Sequence, residues 1–455
     1  DDYHASRVLP GFEPDSKLRM LMQLADQAEI VIVINAADIT KNKVRYDLGI
    51  TYDLDVLRLI HVFTDRGLYV SSVVITRYVD TPAIQQFKHK LEKLGLKVYR
   101  HYEIDGYPSN IPLIVSDEGY GKNDYIETTR PLVVVTAPGP GSGKMATCLS
   151  QLYHENKRGV KAGYAKFETF PIWNLPLKHP VNLAYEAATA DLNDVNMIDP
   201  FHLEAYGKTT VNYNRDVEIY PVLSAIFEGI FGKCPYKSPT DMGVNMAGLC
   251  IFDDEACREA SCQEIIRRYY QALEKVVKDD SCQNEAYKIE LIMKQAKISP
   301  KDRVVVPAAV NLAKETDAPA AALELPDGKI VLGKTKELLG ASAAVLLNAV
   351  KELGGIDHSI DLISPESIAP IQELKVRYLG SGNPRLHTDE VLIALSTCAA
   401  TDENARIALE QLPKLRGCQV HTTVMLSNVD KNVLSSEQQD VLSLWNLLDS
   451  KSKEF

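Results

Sequence analysis

The chain has 455 residues, 45% of them hydrophobic and 24% charged, which is typical of a globular protein with a large buried core. Its formal net charge of −11 argues against a broad nucleic-acid-binding surface, because backbone phosphates require a basic face. No apolar run is long enough to span a membrane, so we expect neither nucleic acid nor a membrane as a partner.

The first third of the chain alternates strands with helices. Helical spacing predicts helices at 55–67 and 81–95, the second with Thr81 as its N-cap and Gly95 as its stop. Short β-branched, apolar runs predict strands at 29–36, 68–77, 97–102, 111–116 and 131–137. Buried strands separated by helices predict an α/β fold with a doubly wound, mostly parallel sheet.

A Gly-rich loop follows the fifth predicted strand, in "VVVTAPGPGSGKMATCLSQLYHE". With a helix predicted at 144–157 and another strand at 160–170, this is the setting in which a P-loop holds phosphate. Lys144 and the glycine before it match the end of the P-loop pattern. Pro138 replaces the first glycine of that pattern, and Met145 replaces the hydroxyl residue that holds magnesium.

The loop is nevertheless predicted to bind an anion, because its N–H groups precede a helix whose N-terminal end is partly positive. Ser142 or Thr147 would then replace the missing hydroxyl, and ATP or GTP with magnesium is the cofactor to test. The alternative is a tight turn with Lys144 in solvent. The predicted binding residues of the loop and its helix are Gly139, Gly141, Ser142, Gly143, Lys144 and Thr147.

Three further candidates follow the loop. Lys166 lies in the next predicted strand, a layout similar to that of P-loop enzymes of the dethiobiotin-synthetase type, and we assign it to ligand binding. Asp199 and His202, in "DPFHLEAYG", join Lys144 as predicted catalytic residues, because polar loops often line sites. The alternatives are a helix cap for the aspartate and a hydrogen-bonded surface position for the histidine.

The rest of the chain is predicted to be helical first and α/β afterwards. Long helical patterns occupy 253–280 and 284–299, and "PAAALELPDGKIVLGK" predicts a strand, a turn and a second strand before a helix. We therefore predict a Rossmann-like, P-loop-like domain at 1–235, a helical subdomain at 236–300 and a C-terminal α/β subdomain at 301–455.

"GSGNPRLHTDE" is the strongest candidate segment in the C-terminal part. Arg385 would contact an anionic ligand, since a guanidinium can bind two oxygens at once. His387 is predicted to be catalytic, as an acid or base near neutral pH. The residues from Thr388 onward also form an ordinary helix start.

The eight cysteines include no C-x-x-C pair, which argues against a zinc cluster and against a disulfide scaffold. Free thiols in a chain of this length indicate a reducing compartment, so we expect a cytoplasmic protein.

Several long motifs resemble a bacterial family of conserved proteins of unknown function, among them "TAPGPGSGKMATCLSQLYHE" and "NPRLHTDEVLIALS". The resemblance implies an α/β protein with a helical insert and a C-terminal subdomain similar to cytidine deaminases. It also implies that a further N-terminal piece precedes "DDYHASRVLPGF". The zinc motif P-C-x-x-C of deaminases does not occur in the sequence, so we expect no zinc.

These observations leave three functions open. The first is an enzyme that binds a nucleotide or another phosphorylated small molecule at 139–144, for phosphoryl transfer or ATP-coupled chemistry. The second is an enzyme that acts on a small anionic metabolite and uses the loop as an anion hole without ATP. The third is a non-catalytic ligand-binding or assembly protein. A homo-oligomer is compatible with all three.

Overall fold

A computed structural model describes residues 2–434 of the chain, except 46–47, 246 and 279–281. Contacts divide the chain into a first unit, Asp1–Tyr185 with Asp194–Cys257, and a second unit, Glu186–Asn193 with Arg258–Phe455. The last part of the predicted C-terminal subdomain, 435–455, lies outside the described residues, and the division into three domains stays a prediction.

The first unit combines a parallel sheet with helices and short strand pairs. Its helices are α1 (Asp2–Val8), α2 (Ser16–Gln23), α3 (Ala36–Thr40), α4 (Tyr52–Asp65), α5 (Pro82–Lys93), α6 (Ile111–Ile114), α7 (Lys144–Lys157), α8 (Pro180–Ala188), which ends within the second unit's segment, α9 (Pro200–Tyr206) and α10 (Asn214–Phe231). Its strands are β1 (Ala28–Asn35), β2 (Val44–Arg45), β3 (Ile50–Thr51), β4 (Tyr69–Thr76), β5 (Lys97–Arg100), β6 (Leu132–Thr136), β7 (Lys166–Phe167), β8 (Asn196–Ile198), β9 (Val211–Tyr213) and β10 (Gly243–Val244).

Four parallel strands form the main sheet, in the order β5-β4-β1-β6. All eight residues of β1 are buried, as expected for a strand whose two faces are both covered. On one face, Ile32 and Ile34 pack with Phe87 and Leu91 of α5. The predicted α/β class and four of the five predicted strands are therefore confirmed.

The strand predicted at 111–116 is wrong. Ile111–Ile114 forms the short helix α6, with Pro112 in its first turn. Proline has no N–H for a central strand but is well placed at a helix start, where that N–H would have no acceptor. A short apolar run has no period of its own, so it did not distinguish the two structures.

The strand predicted at 160–170 is also largely wrong. Only Lys166–Phe167 is extended, and this strand, β7, pairs with β10 outside the main sheet. The predicted strand–loop–helix–strand unit therefore ends at its helix. That helix, α7, has the predicted bounds, and Thr81 caps α5 as expected by accepting a hydrogen bond from the N–H of Ile84.

The second unit contains an antiparallel sheet of three strands in the order β12-β11-β13, with helices around it. The predicted strand–turn–strand is confirmed as β11 and β12, whereas the likeness to cytidine deaminases stays a prediction. The elements are α11 (Asp254–Lys278), which begins in the first unit's last segment, α12 (Gln283–Ala296), α13 (Val305–Thr316), β11 (Ala320–Glu324), β12 (Ile330–Lys334), α14 (Ala341–Gly354), α15 (Pro365–Glu373), α16 (Thr388–Cys398), α17 (Glu403–Glu410), β13 (Gln419–Thr422) and α18 (Asn428–Leu434).

Within the described part of the chain, no helix combines the length and the apolar character that a membrane span requires.

Candidate functional site

The Gly-rich loop lies at the carboxyl edge of the parallel sheet, where the strand order reverses. From β1 the chain builds outward through β4 and β5 on one side, and then returns to place β6 on the other. Open parallel sheets bind ligands outside the carboxyl ends of their strands at such a switch point. The crevice between β1 and β6 is therefore the candidate site of the first unit.

Hydrogen bonds fasten the loop to the ends of two neighbouring strands. The hydroxyl of Thr76, the last residue of β4, donates to the carbonyl oxygen of Ser142 at 2.7 Å. The side-chain amide of Asn35, the last residue of β1, donates to the carbonyl oxygen of Gly141 at 3.4 Å. Two carbonyl oxygens of the loop are thus held by side chains at the ends of the sheet strands.

Two glycines are required by this geometry. A Cβ added at Gly139 would lie 2.4 Å from the hydroxyl of Tyr52, so only glycine allows this close approach. Gly143, immediately before α7, has a φ of +94°, a backbone conformation that favours glycine.

Lys144 begins α7, and its ammonium folds back over the loop. Its Nζ donates to the carbonyl oxygen of Gly139 at 3.2 Å, and among the described residues it forms no ion pair. Burial lowers the pKa of Lys144, and nearby Cys148 opposes this only in part. The backbone N–H groups of Gly143 and Lys144 donate to no atom in the described part of the chain. A partly buried cation and free N–H groups therefore meet at one helix start, as in an anion site.

The residues that would hold magnesium are placed differently. Met145 packs against the apolar cluster that contains Leu149 and Leu152 of the same helix. Thr147 is fully buried, and its hydroxyl has no hydrogen-bond partner among the described residues. The hydroxyl of Ser142 donates to the carbonyl oxygen of Gly139 at 3.0 Å, so it supports the loop itself.

Lys166 belongs to a cluster of charged groups beside α7. Its ammonium donates to the carboxylate of Asp216 at the start of α10, and it lies 3.9 Å from the carboxylate of Glu168. All three side chains are mostly buried. Tyr164, two residues before Lys166, packs against the apolar cluster that contains Leu149 of α7, and its pKa is raised by burial and then by Cys148 and Asp216.

Glu168 has a strongly perturbed carboxyl group. Burial raises its pKa to about 7, an effect that Lys166 opposes and Asp216 reinforces. The hydroxyl of Tyr213 donates to Glu168 at 3.4 Å. The same glutamate lines a cavity of about 500 Å³, whose other walls include Phe12, Met20, Phe167, Ile251 and Phe252. A carboxyl group that titrates near neutral pH thus borders a space of ligand size.

Asp199 and His202, both predicted to be catalytic, are engaged in local structure. One carboxylate oxygen of Asp199 accepts from the N–H groups of Phe201 and His202, each at 3.0 Å. The other accepts from the N–H and the hydroxyl of Thr240, at 3.2 and 2.6 Å. Nδ1 of His202 lies 3.0 Å from the hydroxyl of Ser238. This is the geometry of a helix cap, and the catalytic role of both residues stays a prediction.

Arg385 and His387 belong to the second unit, so we describe them within it. Nε of Arg385 donates to the carbonyl oxygen of Lys336 at 2.8 Å, and the side chain is exposed. Nδ1 of His387 lies 2.8 Å from the carboxylate of Asp430.

Sequence reasoning did not pair His387 with Asp430 or Lys166 with Asp216. The partners of His387 and Lys166 are 43 and 50 positions away in the sequence, too far for any local pattern to pair them. A local signal existed only for Asp430, because "SNVD" has the serine and the acid of a helix start.

The family and its members are identifiable from sequence comparison. Residues 1–297 match the family profile described as "Domain of unknown function DUF1846, N-terminal", and residues 301–441 match "Domain of unknown function DUF1846, C-terminal". The UPF0371 protein cu0538 of Corynebacterium urealyticum is 60% identical over 434 residues, which cover 95% of this chain and 87% of that protein. A UPF0371 protein of Streptococcus thermophilus is 59% identical, over 95% of this chain and 88% of its own length.

Proposed function

The chain belongs to the DUF1846 family, and we propose that its first unit binds the phosphate of a nucleotide or of another phosphorylated small molecule at the start of α7. The ligand's phosphate would lie in the crevice between β1 and β6. The observation that carries this proposal is the partly buried Lys144 ammonium, which among the described residues donates to the carbonyl oxygen of Gly139 in its own loop.

The energetics favour an anion at this position. A cation removed from water requires compensation, and a single neutral carbonyl supplies less than a charged oxygen would. A phosphate oxygen would accept from Nζ of Lys144 and from the N–H groups at the start of α7, with the helix dipole adding to the attraction.

The placement of Met145 supports binding without a magnesium ion held by the helix. In a P-loop the residue after the lysine supplies the hydroxyl ligand of magnesium. Here that position packs into the apolar cluster around Leu149. We therefore favour an anion hole for a phosphate ester over a site that hydrolyses a nucleoside triphosphate.

We further propose that Glu168, with Lys166 and Asp216, supplies acid–base chemistry to a ligand held nearby. A carboxyl group whose pKa is about 7 can both give and accept a proton at neutral pH. Glu168 also borders the cavity of about 500 Å³, which has room for a reactant of its own. A non-catalytic ligand-binding protein is the alternative, and it requires no role for this group.

Thermal-shift titrations of the full chain test the binding proposal. ATP, ADP, a sugar phosphate and inorganic phosphate are compared, each with and without magnesium. We expect at least one of them to stabilise the protein without magnesium, by about 2.7 kcal/mol at one hundred times its dissociation constant. The Lys144→Ala variant should lose most of this stabilisation.

The exposed Lys161 provides the matched control, because Lys161→Ala removes an equal charge from the region after α7. We expect this variant to respond like the wild type. An equal response of Lys144→Ala and the wild type to every phosphorylated compound would remove the site from the loop.

A further inference from the structure

In the second unit, two helices begin side by side. α14 starts at Ala341 and α16 at Thr388, and just before them Leu339 pairs with Leu386 in a parallel bridge. The hydroxyl of Thr388 lies 3.4 Å from that of Ser342. Two partly positive helix ends therefore meet at one position.

The carboxylate of Asp430, in α18, lies at this meeting point. One of its oxygens accepts from both the N–H and the hydroxyl of Thr388, each at 2.7 Å. The other accepts from the hydroxyl of Ser427 at 2.8 Å and lies 2.8 Å from Nδ1 of His387. Burial raises the pKa of Asp430, but the hydrogen bonds from Thr388, His387 and Ser427 together hold it below its ordinary value. The group is therefore ionised at neutral pH.

An ionised carboxylate fixes the tautomer of the histidine beside it. Because the carboxylate can only accept, Nδ1 of His387 must donate, and in the neutral ring Nε2 then has the lone pair. Among the described residues, none hydrogen-bonds to Nε2, and the side chain is 26% exposed. An orienting carboxylate behind the ring and a free lone pair in front are the requirements of a general base.

A cationic side chain lies close to His387 in the sequence. Arg385 is two residues before His387, is exposed, and uses its Nε to donate to the carbonyl oxygen of Lys336. Its terminal nitrogens have no hydrogen-bond partner in the described part of the chain. They present the planar fork that binds two oxygens of a carboxylate or a phosphate.

We propose that the second unit contains a general-base site of its own, in which His387 is the catalytic residue and Asp430 its positioning residue. Arg385 holds the oxyanion of a small molecule. Nε2 of His387 takes a proton from a hydroxyl group of that molecule or from a water beside it, and Asp430 stabilises the resulting imidazolium. The site lies in the second unit and does not depend on the phosphate loop, so the two proposals can fail separately.

Chemical modification of the full chain by diethyl pyrocarbonate, followed by peptide mass spectrometry, tests the base. The reagent acylates an imidazole nitrogen that has a free lone pair. We expect His387 to react, and the buried His101 and His421 to remain unmodified. In Asp430→Asn the rate at His387 should fall severalfold, because Nε2 then has the lone pair in only part of the molecules and the carboxylate no longer stabilises positive charge on the ring.

A spectroscopic measurement distinguishes positioning from simple support of the fold. With ¹⁵N-labelled histidine, we expect the wild-type His387 ring to show a protonated Nδ1 and an unprotonated Nε2 at high pH, and Asp430→Asn to show a mixture. If that variant does not fold, Ser427→Ala provides a milder change and should give an intermediate rate. It removes a donor to the carboxylate, the acceptor of the Asp430 N–H and a hydroxyl 3.3 Å from Nδ1 of His387. An unreactive wild-type His387, or an unchanged rate and tautomer in these variants, would overturn the proposal.

Protection experiments test the class of ligand. Inorganic phosphate and acetate are added separately, and we expect at least one of them to slow the modification of His387, which also tells a phosphate ligand from a carboxylate. Arg385→Ala should abolish this protection. Arg377→Ala, at an arginine that is 69% exposed, is the matched control, and in this variant the anion should still protect His387. Protection by neither anion, or equal protection in both variants, would contradict the role of Arg385.

Discussion

The ammonium of Lys144 lies 3.2 Å from the carbonyl oxygen of Gly139, so the first residue of α7 donates back to the loop that precedes its own helix. This contact closes the loop with a cation that has no carboxylate partner among the described residues. A ligand phosphate would take over the interaction and strengthen it, because a charged acceptor forms a stronger hydrogen bond than a neutral one. The relationship connects the local structure of the loop to the function we propose.

The contact between Gly139 and Tyr52 gives the first prediction. In Gly139→Ala, the new Cβ would lie 2.4 Å from the Tyr52 hydroxyl, so either the loop or the ring must move. We expect a loss of about 1–3 kcal/mol in the free energy of unfolding, measured by urea denaturation, and weaker phosphate binding. Tyr52→Phe in the same chain should restore part of both.

Gly163 is the matched control for this substitution, since an added Cβ would find only the Tyr236 hydroxyl, 4.0 Å away. We expect the free energy of unfolding of Gly163→Ala to lie within about 0.5 kcal/mol of the wild-type value. Equal stability of the two alanine variants would contradict the close approach at Gly139.

The hydrogen bonds of Asp199 predict a structural rather than a catalytic loss. Asp199→Ala leaves the N–H groups of Phe201 and His202 and the buried Thr240 without their acceptor. We expect it to lower the free energy of unfolding by about 2–4 kcal/mol while phosphate affinity changes little. Asp105→Ala, at an exposed aspartate, should have almost no effect on either quantity. A stable Asp199→Ala variant that no longer binds or turns over a ligand would instead support the catalytic prediction.

The raised pKa of Glu168 predicts a stability that falls as pH rises. The carboxyl group of Glu168 stays protonated up to about pH 7 in the folded protein, whereas in the unfolded chain it ionises near pH 4.5. Between these two pH values only the unfolded chain gains from ionisation, so stability falls as pH rises. Between pH 4.5 and 7 we expect the stability to fall by about 3 kcal/mol because of Glu168, with the full loss reached above pH 7. Denaturation at pH 5 and pH 8 should show a smaller change in Glu168→Gln than in the wild type.

Glu103→Gln is the control for that experiment, because the side chain of Glu103 is 71% exposed. It should keep the pH dependence of the wild type. If Glu168→Gln also keeps it, the buried carboxyl group has an ordinary pKa and loses its proposed acid–base role.

His421, in the second unit, predicts the opposite dependence on pH. Burial, with a smaller contribution from Arg303, lowers its pKa from 6.5 to about 3. Below pH 6.5 this imidazole is therefore protonated in the unfolded chain but not in the folded protein, and stability falls as pH falls from 6.5 towards 3. We expect His421→Leu to retain about 5 kcal/mol more stability than the wild type at pH 3, relative to pH 8. His358→Leu, at an exposed histidine, should leave the acid sensitivity as it is.

The sequence predicted those parts of the fold that follow from local patterns. The fully buried run of β1 and the capped helix α5 both have an unambiguous period or cap. The segment Ile111–Ile114 was misassigned, because four apolar residues fit a strand or a helix equally well until the proline is weighed. Strand β7 was overextended because pairing with β10, more than seventy residues later, decides where it ends.

The candidate site was predictable only in part for the same reason. The Gly-rich loop was found because its residues are contiguous, and the structure places it at the carboxyl edge of the sheet. The pairs Lys166–Asp216 and His387–Asp430 depend on tertiary contacts between segments that are distant in sequence. The sequence predicted that Ser142 or Thr147 would replace the hydroxyl missing at Met145. The side chain of Thr147 is fully buried, and the hydroxyl of Ser142 donates to the carbonyl oxygen of Gly139.

A crystal structure of the full chain with the phosphorylated compound that stabilises it best tests the central claim most directly. We predict a phosphate group within hydrogen-bonding distance of the N–H groups of Gly143 and Lys144, with Nζ of Lys144 moved from the Gly139 carbonyl to a phosphate oxygen. A bound ligand elsewhere on the first unit, with Nζ of Lys144 still donating to Gly139, would contradict it.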